Sequence, residues 1–151
     1  MGLFLEDLRT GQTYRTASRT VTEADVVIYS GLSADYNSLH TDEEYAKGTP
    51  YGTRIAHGPL VLAMAMGLLN RLGLTEGTSL GFLAIDSWRF IGAVKIGDTI
   101  TVEMTITDAR ASSKAGRGVL KRHLEVINQR GETVQQGDMV SLVQSRPEPG
   151  A

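Results

Sequence analysis

The architecture of this chain follows from one apolar run, Pro59-Leu-Val-Leu-Ala-Met-Ala-Met-Gly-Leu-Leu69. The run is apolar on every face, so a helix with this sequence must be buried on all sides. Proline suits the first helical position because its missing N–H would have no partner there. We therefore predict a helix that is capped by Gly58 and ends near Leu72. The run is too short to cross a bilayer, which needs about 20 apolar residues.

Strands surround this helix in the predicted order of elements. Several later segments alternate apolar and polar residues and are rich in Val, Ile and Thr, which is typical of half-buried strands. A looser alternation at 12–21 predicts a strand before the helix, and the strands after it are 79–90, 99–109, 119–128 and 133–144. One helix enclosed by an antiparallel sheet is an α+β layer arrangement. We expect a single domain over residues 1–151, with a flexible tail at 145–151.

Length, charge and composition narrow the classes of function. A chain of 151 residues, of which 41% are hydrophobic, fits one folded domain with a single core. The net charge of −2 does not indicate a nucleic-acid partner. The lack of cysteine excludes disulfides, thiolate catalysis and cysteine-ligated metals. The N-terminus has no basic start followed by a long apolar run, so we expect no signal peptide, no membrane attachment and a cytoplasmic location.

A carboxylate and an imidazole lie close together in the run Tyr29-Ser-Gly-Leu-Ser-Ala-Asp35-Tyr-Asn37-Ser-Leu-His40. Asp35 and His40 are five residues apart, so on a continuous helix they would point to different faces. Asn37 and Ser38 favour a turn, because short polar side chains bond the nearby backbone, and a turn would let the pair meet. The two groups could then serve as acid and base. The alternative is that Asp35 merely ends a helix and His40 is an ordinary, partly buried histidine.

Helices are predicted on both sides of this turn. A cap at Thr22 begins the first of them. A capping box at Thr41-Asp-Glu-Glu44 begins a short helix over 42–46. His40 would thus lie just before a helix start and Asp35 just after a helix end. Such loop positions on a rigid scaffold suit catalytic groups.

Gly58 would place a backbone amide at the mouth of the long helix. The amides of a first helical turn have no partner within the helix and carry a partial positive charge. A glycine also lets a ligand oxygen approach the backbone closely. The Gly58 amide could therefore stabilise negative charge on a carbonyl oxygen, although a tight loop-to-helix turn is the simpler explanation. The neighbouring His57 is expected to have a structural role only.

The segment 29–46 resembles the signature of the MaoC-like, or (R)-specific enoyl-CoA hydratase, family. The residues in register with that signature are Asp35, Asn37, Leu39, His40 and Ala46. Two backbone positions differ, because Ala34 stands where the family has glycine and Ser38 where it has proline. The His57-Gly58 step and the run Trp88-Arg-Phe-Ile-Gly-Ala-Val-Lys-Ile-Gly97-Asp98 are also similar to the family, so the resemblance covers about residues 13–143.

This resemblance implies a hot-dog fold, in which an antiparallel sheet wraps one long buried helix, and homodimers that pair through sheet edges. It also implies a hydratase or dehydratase acting on the 2,3 double bond of an acyl thioester of coenzyme A. Asp35 would act as base toward a water molecule, while His40 would hold that water and share its protons. Asn37 would orient the pair, and the Gly58 amide would bind the thioester carbonyl. The split of proton transfers stays open, and no metal or cofactor is implied beyond the coenzyme A of the substrate.

Other side chains are candidates for binding the substrate. Coenzyme A carries phosphates, and the basic Gly/Ser-rich loop with Lys114 and Arg117 could bind them, although solvated hairpin ends often carry such charges. Arg54 is a further cationic candidate. The candidates for an apolar acyl pocket are Leu62, Met66 and Trp88. The alternative role for the aromatic Trp88 is packing in the core.

Two other functions stay open at this point. A hot-dog thioesterase would hydrolyse the same class of thioester and needs a carboxylate that directs water at the carbonyl carbon. A non-catalytic acyl-CoA binding or regulatory protein would keep the fold but would need neither Asp35 nor His40. The acyl group also stays open, because short, long, branched and dicarboxylic chains are not separated by the sequence.

Overall fold

An antiparallel sheet forms most of the protein in the computed structural model, which describes residues 2–147. Its strands are β1 (Thr13–Arg15), β2 (Arg19–Thr20), β3 (Ser79–Phe90), β4 (Thr99–Ala111), β5 (Arg117–Asn128) and β6 (Thr133–Gln144). The long strands run in the spatial order β4-β5-β6-β3, and each neighbouring pair is antiparallel. The short strands β1 and β2 both pair with β4, which leaves β3 at the opposite edge of the sheet.

The helices are α1 (Glu23–Ser33), α2 (Ser38–Thr41), α3 (Glu43–Lys47) and α4 (Gly58–Asn70), and a 3-10 turn at Leu5–Asp7 precedes β1. α1 begins as predicted. Thr22 Oγ1 accepts the Asp25 N–H at 3.3 Å, and the Asp25 carboxylate accepts the Thr22 N–H at 2.8 Å. This reciprocal pair is a capping box, which satisfies two amides at the helix start. In residues 2–147 no helix has both the length and the apolar character that a membrane crossing requires.

α4 packs across the concave face of the sheet. Val61, Met64 and Leu68 of α4 are buried there against strand residues such as Val102 and Leu124. The inward strand positions alternate with outward ones, because strand side chains point to opposite faces. Full burial of one such side chain contributes about 1.5–3 kcal/mol to stability. The predicted α+β arrangement, with a sheet around one long helix, is confirmed.

One face of α4 stays exposed in the single chain, so the prediction of burial on all sides is wrong. The exposed residues recur at helical spacing and are Pro59, Ala63, Met66, Gly67 and Asn70. A single sheet layer curls over one side of a helix and leaves the other side open. The apolar composition of that open side is therefore not explained by the fold of one chain.

The limits of α4 differ by one or two residues from the prediction. His57 is the N-cap, with φ −60° and ψ 136°, and Gly58 is already helical. Proline is tolerated throughout the first turn of a helix, so Pro59 does not by itself fix the cap. At its other end the helix stops at Asn70, and Gly73, with φ 66°, belongs to the turn that leads to β3.

The strand predicted at 12–21 is interrupted and forms β1 and β2. Thr16, between them, donates its N–H to Val102 O at 3.0 Å, while its Oγ1 accepts the Val102 N–H at 3.0 Å. The Thr16 hydroxyl thus accepts the Val102 N–H, which a backbone carbonyl would accept in a regular pair of strands. The sequence alternates in the same way whether or not the strand is interrupted, so the alternation does not predict this break.

Residues 145 and 146 are held against the domain. Ser145 donates its N–H to Gly116 O at 3.0 Å, and the Arg146 guanidinium binds both carboxylate oxygens of Asp7 at 2.7 and 2.8 Å. The predicted flexible tail therefore does not begin at residue 145. Its last part, residues 148–151, lies outside the described residues.

Candidate active site

Two successive turns formed by side chains bring Asp35 and His40 together. α1 ends at Ala34, which has a left-handed backbone with φ 59°. Asp35 Oδ1 then accepts the Asn37 N–H at 3.2 Å, and Asn37 Oδ1 accepts the Leu39 N–H at 3.0 Å. Each bond folds the chain back over two residues. The turn expected from the polar residues is present, and Asn37 stabilises it.

His40 lies inside α2 rather than before a helix start, which corrects the prediction. α3 is capped by Asp42, whose Oδ1 accepts the Tyr45 N–H at 3.0 Å, and not by Thr41. The reason is local: Asn37 already caps a helical turn over residues 38–41, so the chain must restart its helix at Asp42. His40 is half-buried as a result and faces the segment that precedes α4.

The ring of His40 has a defined tautomer. Its Nδ1 lies 2.7 Å from Ile55 O, and a carbonyl oxygen can only accept, so Nδ1 carries the hydrogen. The neutral imidazole therefore presents an unprotonated Nε2. The Ile55 N–H in turn donates to Leu39 O at 3.1 Å, which ties the loop to the approach of α4. His40 is thus oriented as a proton acceptor through Nε2.

His57 contacts both members of the pair, a position that sequence reasoning did not assign to it. Its side chain is 1% exposed, and its ring stacks on that of His40 with centroids 3.8 Å apart. Its Nε2 donates to Asp35 O at 2.9 Å. His57 Nδ1 has no hydrogen-bond partner among residues 2–147. The signal that could have indicated this role is the position of His57 directly before Gly58.

One side-chain nitrogen or oxygen atom of each of Asp35, His40 and His57 lies within 4.8 Å of the other two. One water molecule bridges a gap of this size with two hydrogen bonds of about 2.8 Å each. The same cluster has the residue types of a metal site. One nitrogen of each ring, however, is already used by a bond to a backbone carbonyl. The geometry thus suits a water molecule between Asp35 and His40 better than an ion held by all three groups.

A cavity of about 420 Å³ opens beside His40. Gly58, Pro59 and Phe90 line it, so the first turn of α4 forms part of its wall. A Cβ on Gly58 would lie 2.8 Å from the Phe90 ring, so a larger residue at this position would require the Phe90 side chain to shift. The Gly58 N–H has no acceptor within the helix because it belongs to the first turn. A polar donor and a histidine therefore border the same space.

Gln135 is a buried residue of this region that the sequence did not reveal. Its Nε2 donates to Gly58 O at 3.0 Å, and its Oε1 accepts the Trp88 Nε1–H at 3.0 Å. Gln135 thus fixes the start of α4 against β3 and β6. Trp88, a candidate for the acyl pocket, is instead half-buried against the main core and held by this bond.

Arg54 is occupied by structural ion pairs. Its guanidinium binds both carboxylate oxygens of Glu23 at 2.7 Å, and its Nε lies 3.2 Å from the Glu43 carboxylate. The hydrogen bonds to Glu23 raise the pKa of Arg54 above its ordinary value. Arg54 therefore joins α1 to α3 and has little capacity left for a phosphate.

The remaining substrate-binding candidates lie away from His40 in this chain. Lys114 and Arg117 belong to the β4–β5 hairpin, and Arg117 pairs with Gln144 at the far end of β6 from Gln135. Leu62 is half-buried against the main core. Met66 lines a different cavity, below the sheet. The structure thus places His40 beside Asp35 in one cluster and beside Gly58 in one cavity. Arg54 lines another cavity together with His40, whereas Lys114, Arg117, Leu62 and Met66 lie away from it.

Comparison of the sequence with known proteins gives a consistent result. A family model described as a MaoC like domain matches residues 7–127. An (R)-specific enoyl-CoA hydratase of Rhodospirillum rubrum is 36% identical over 105 residues, which are 69% of each protein. Protein MaoC of Klebsiella aerogenes is 34% identical over 68% of this chain. The match spans 30% of that relative, so the chain corresponds to less than a third of it.

Solved structures agree on the fold. A protein of Archaeoglobus fulgius described as a monoamine oxidase regulatory protein is similar with a TM-score of 0.90, 35% identity and 97% coverage of both chains. A protein of Mycobacterium tuberculosis described as having a double hot-dog fold is similar with a TM-score of 0.82 over 99% of this chain and 46% of that one. Its identity is 18%, so this likeness shows the fold alone. The hot-dog fold is confirmed.

Proposed function

The chain belongs to the MaoC-like dehydratase family, and we propose that it adds water across the 2,3 double bond of a 2-enoyl thioester of coenzyme A and catalyses the reverse dehydration. Its relative from Rhodospirillum rubrum is named for this hydration. The observation that carries the proposal for the site is that a polar atom of the Asp35 side chain and one of the His40 ring come within 4.8 Å of each other, close enough for one water molecule to bond both. The proposal requires no metal and no cofactor besides the coenzyme A of the substrate.

The two side chains are both hydrogen-bond acceptors toward that water. An ionised Asp35 carboxylate only accepts, and in the neutral His40 ring Nε2 is the acceptor because Nδ1 donates to Ile55 O. A water molecule that donates one hydrogen to each group has its oxygen lone pair free to attack carbon. His57 supports this arrangement by holding the Asp35 carbonyl and stacking on His40.

The Gly58 amide would bind the thioester carbonyl oxygen in the neighbouring cavity. A donor at this point withdraws electron density from the conjugated double bond and stabilises the enolate-like transition state. Removal of one such donor from enzymes of other classes costs about 2.7–4 kcal/mol of barrier. The cavity and the water site share His40 as a wall, so the bound double bond would lie next to the water.

The reaction balances with these groups alone. The water oxygen bonds to C3, and one water proton passes to Asp35 or His40. The π electrons move toward C2 and the carbonyl oxygen, and C2 then takes a proton from the same pair. The product is a 3-hydroxyacyl thioester, and each step reverses for dehydration.

The thioesterase alternative is weaker for a geometric reason. A hydrolase must aim its water at the carbonyl carbon, whereas a water bound by Asp35 and His40 would lie at the His40 wall of the cavity, to one side of the Gly58 amide that would receive the carbonyl oxygen. A purely regulatory role, suggested by the description of the Archaeoglobus relative, would not require the acceptor pair. The assay below separates these possibilities.

We propose that the protein works as a homodimer. We also propose that it is cytoplasmic, as expected from its sequence. β3 is an edge strand, and Phe82, Leu83 and Ile85 on it are exposed. An open, apolar edge of this kind favours pairing with a second strand. A second copy of β3 would also explain the apolar, exposed side of α4. Sedimentation analysis should give twice the chain mass, and a monomer at micromolar concentration would refute the dimer.

The activity is tested with crotonyl-CoA, by following the loss of the conjugated double bond and the release of free thiol in parallel. We expect the double bond to disappear without thiol release. Asp35→Asn should abolish the signal, while Asp138→Asn, which alters an exposed carboxylate on the outer face of the sheet, should retain it. Thiol release would instead indicate a thioesterase. Wild-type rates in Asp35→Asn would show that this site does not carry the reaction.

A further inference from the structure

A second cavity, of about 280 Å³, lies below the sheet toward the other end of α4. Most of its wall is apolar and includes Met66, Leu69, Met104, Ile106 and Leu120. It is separate from the cavity beside His40 and shares no lining residue with it. A space of this kind would serve an alkyl chain, were it not for a cation that the sheet directs into its wall.

That residue is Arg122. It lies on β5 between Leu120 and Leu124, which are both buried on the concave face, so period-two alternation directs its side chain to the same face. Its cross-strand neighbours Ile106 and Met139 are buried as well. A cation therefore stands where the pattern of the strand calls for an apolar side chain.

The guanidinium of Arg122 is poorly satisfied. Within residues 2–147 its Nη2 donates to Ser141 Oγ, its buried Nε–H has no acceptor, and it forms no ion pair. Burial lowers the pKa of Arg122, yet an arginine stays protonated at neutral pH. An unpaired buried charge destabilises a fold, and an apolar residue of similar volume would be neutral or better. The position is thus explained by an anion that enters the cavity.

We propose that the cavity around Arg122 binds a carboxylate, supplied by the far end of the acyl chain of the substrate. Arginine matches a carboxylate with two parallel N–H donors, and the free Nε–H is one of that pair. Ser141 is a second polar group beside the same site. The inference rests on the proposed hydratase function and specifies its substrate as an enoyl thioester with a terminal carboxylate.

Pairing of two copies would bring the two cavities together. β3 contributes Ser79 and Phe82 to the Arg122 cavity and Phe90, at its opposite end, to the His40 cavity. Antiparallel pairing of β3 with a second copy places the Phe90 end of one strand beside the Ser79 end of the other. A thioester held at His40 of one copy would then extend its acyl chain toward the Arg122 cavity of the other.

One carboxylate opposes this binding. Glu76 lines the same cavity and is exposed. Its Oε2 lies beside Gly73 in the turn before β3, away from Ser141 on β6. Like charge at the opening should weaken binding modestly, since exposed charges are screened by water and salt. Glu76→Gln should therefore raise affinity for an acidic chain slightly, in the opposite direction to changes at Arg122.

The first test compares two six-carbon substrates, trans-2-hexenoyl-CoA and 5-carboxy-2-pentenoyl-CoA, which differ by a terminal methyl group or carboxylate. We expect wild-type kcat/KM to be at least about 10-fold higher for the acid, because a charged hydrogen-bonded pair discriminates by that order. Arg122→Met should reverse the preference, and Arg122→Lys should restore part of it. Lys121→Met is the matched control, since it removes a cation from the outer face of the same strand.

The second measurement is a binding assay that does not depend on enzymatic activity. It distinguishes a site for the terminus of an acyl chain from a site for a free dicarboxylate. Calorimetry with adipate should show binding to the wild type that Arg122→Met abolishes, and the melting temperature of Arg122→Met should not fall. Equal kcat/KM for both thioesters together with no adipate binding overturns the inference and leaves the hydratase assignment intact. Hydration of neither thioester, with adipate binding that depends on Arg122, would support the carboxylate site and refute the proposed function.

Discussion

Two Asp–His pairs occur in this molecule, and their surroundings differ in every respect that matters for chemistry. His123 and Asp138 are direct cross-strand partners on β5 and β6, and His123 Nδ1 lies 2.8 Å from Asp138 Oδ1. The Asp138 carboxylate also accepts the Ser87 hydroxyl at 3.1 Å. Asp35 follows the end of α1 and His40 lies in the short helix α2, and both bind backbone groups instead of each other.

The difference shows that hydrogen bonds already made decide what a pair can do. His123 and Asp138 hydrogen-bond directly to each other and Asp138 also to Ser87, so this partly exposed pair has little capacity for a third molecule. The backbone bonds of Asp35 and His40 orient both side chains, whose polar atoms come within 4.8 Å of each other. Residue type alone does not separate the two pairs.

The largest expected effect is on kcat, which should depend on His40 and not on His123. His40→Gln removes the acceptor nitrogen and should lower kcat on crotonyl-CoA by about 10²–10⁴, the usual contribution of a positioned acid or base. His123→Gln should keep kcat within about threefold, because its ring contacts no cavity beside His40. Steady-state kinetics on both purified variants checks this. Equal losses would break the distinction between the two pairs.

A smaller effect is expected from substitution of His57, which contacts both Asp35 and His40. His57→Phe keeps a flat ring against His40 but removes the Nε2–H that holds Asp35 O. The loss of one hydrogen bond of about 1–1.5 kcal/mol should lower kcat roughly 10-fold and leave KM nearly unchanged. The split between kcat and KM is the measurement. A rise in KM with unchanged kcat would show that His57 supports binding rather than the position of Asp35.

The loop also carries backbone strain that the paired strands lack. Ala34 is the non-glycine residue with positive φ in residues 2–147, and a left-handed conformation costs such a residue about 1–2 kcal/mol. Ala34→Gly should raise the free energy of unfolding by about 1 kcal/mol, measured by urea titration. Ala46→Gly, inside α3, is the control and should lower it by a similar amount. A loss of stability in Ala34→Gly would show that the turn is not strained.

The smallest expected effect is on the pH dependence of stability and concerns His123 and Asp138. The hydrogen bond from His123 holds the pKa of Asp138 below its ordinary value. The resulting stability is complete above the unfolded carboxyl pKa of about 3.9 and is lost as the pH falls through the lowered folded value. Asp138→Asn should therefore unfold more easily by at most about 1 kcal/mol at pH 6, since the pair is partly exposed. Chemical denaturation at pH 6 and pH 3 should show this gap closing; a constant gap would contradict it.

Several elements follow the sequence closely because their signals are local. The strands at Ser79–Phe90 and Thr133–Gln144 have the predicted limits, and α1 begins at its predicted cap. Asp35, His40 and Gly58 were singled out from spacing and from the family resemblance, and in the structure His40 lies beside both of the others. The family and its fold are confirmed by the comparisons.

Other features depend on neighbours that are far apart in sequence. Gln135 reaches Gly58 across 77 positions, and Thr16 breaks its strand only because Val102 lies opposite. The exposed side of α4 and the orphaned Nε of Arg122 likewise depend on which surfaces the sheet covers. Nothing in the residues next to these positions indicates such contacts.

The sequence by itself determined the order of helices and strands, the α+β class and the turn that joins Asp35 to His40. These depend on periodicity, capping and side-chain-to-backbone bonds, which act over a few residues. Only the tertiary structure decided which Asp–His pair binds backbone groups rather than each other, where His57 stacks, and that Arg122 faces a cavity with no ion-pair partner among residues 2–147. The physical reason is that burial and hydrogen-bond satisfaction are set by groups that meet only when the sheet closes over α4.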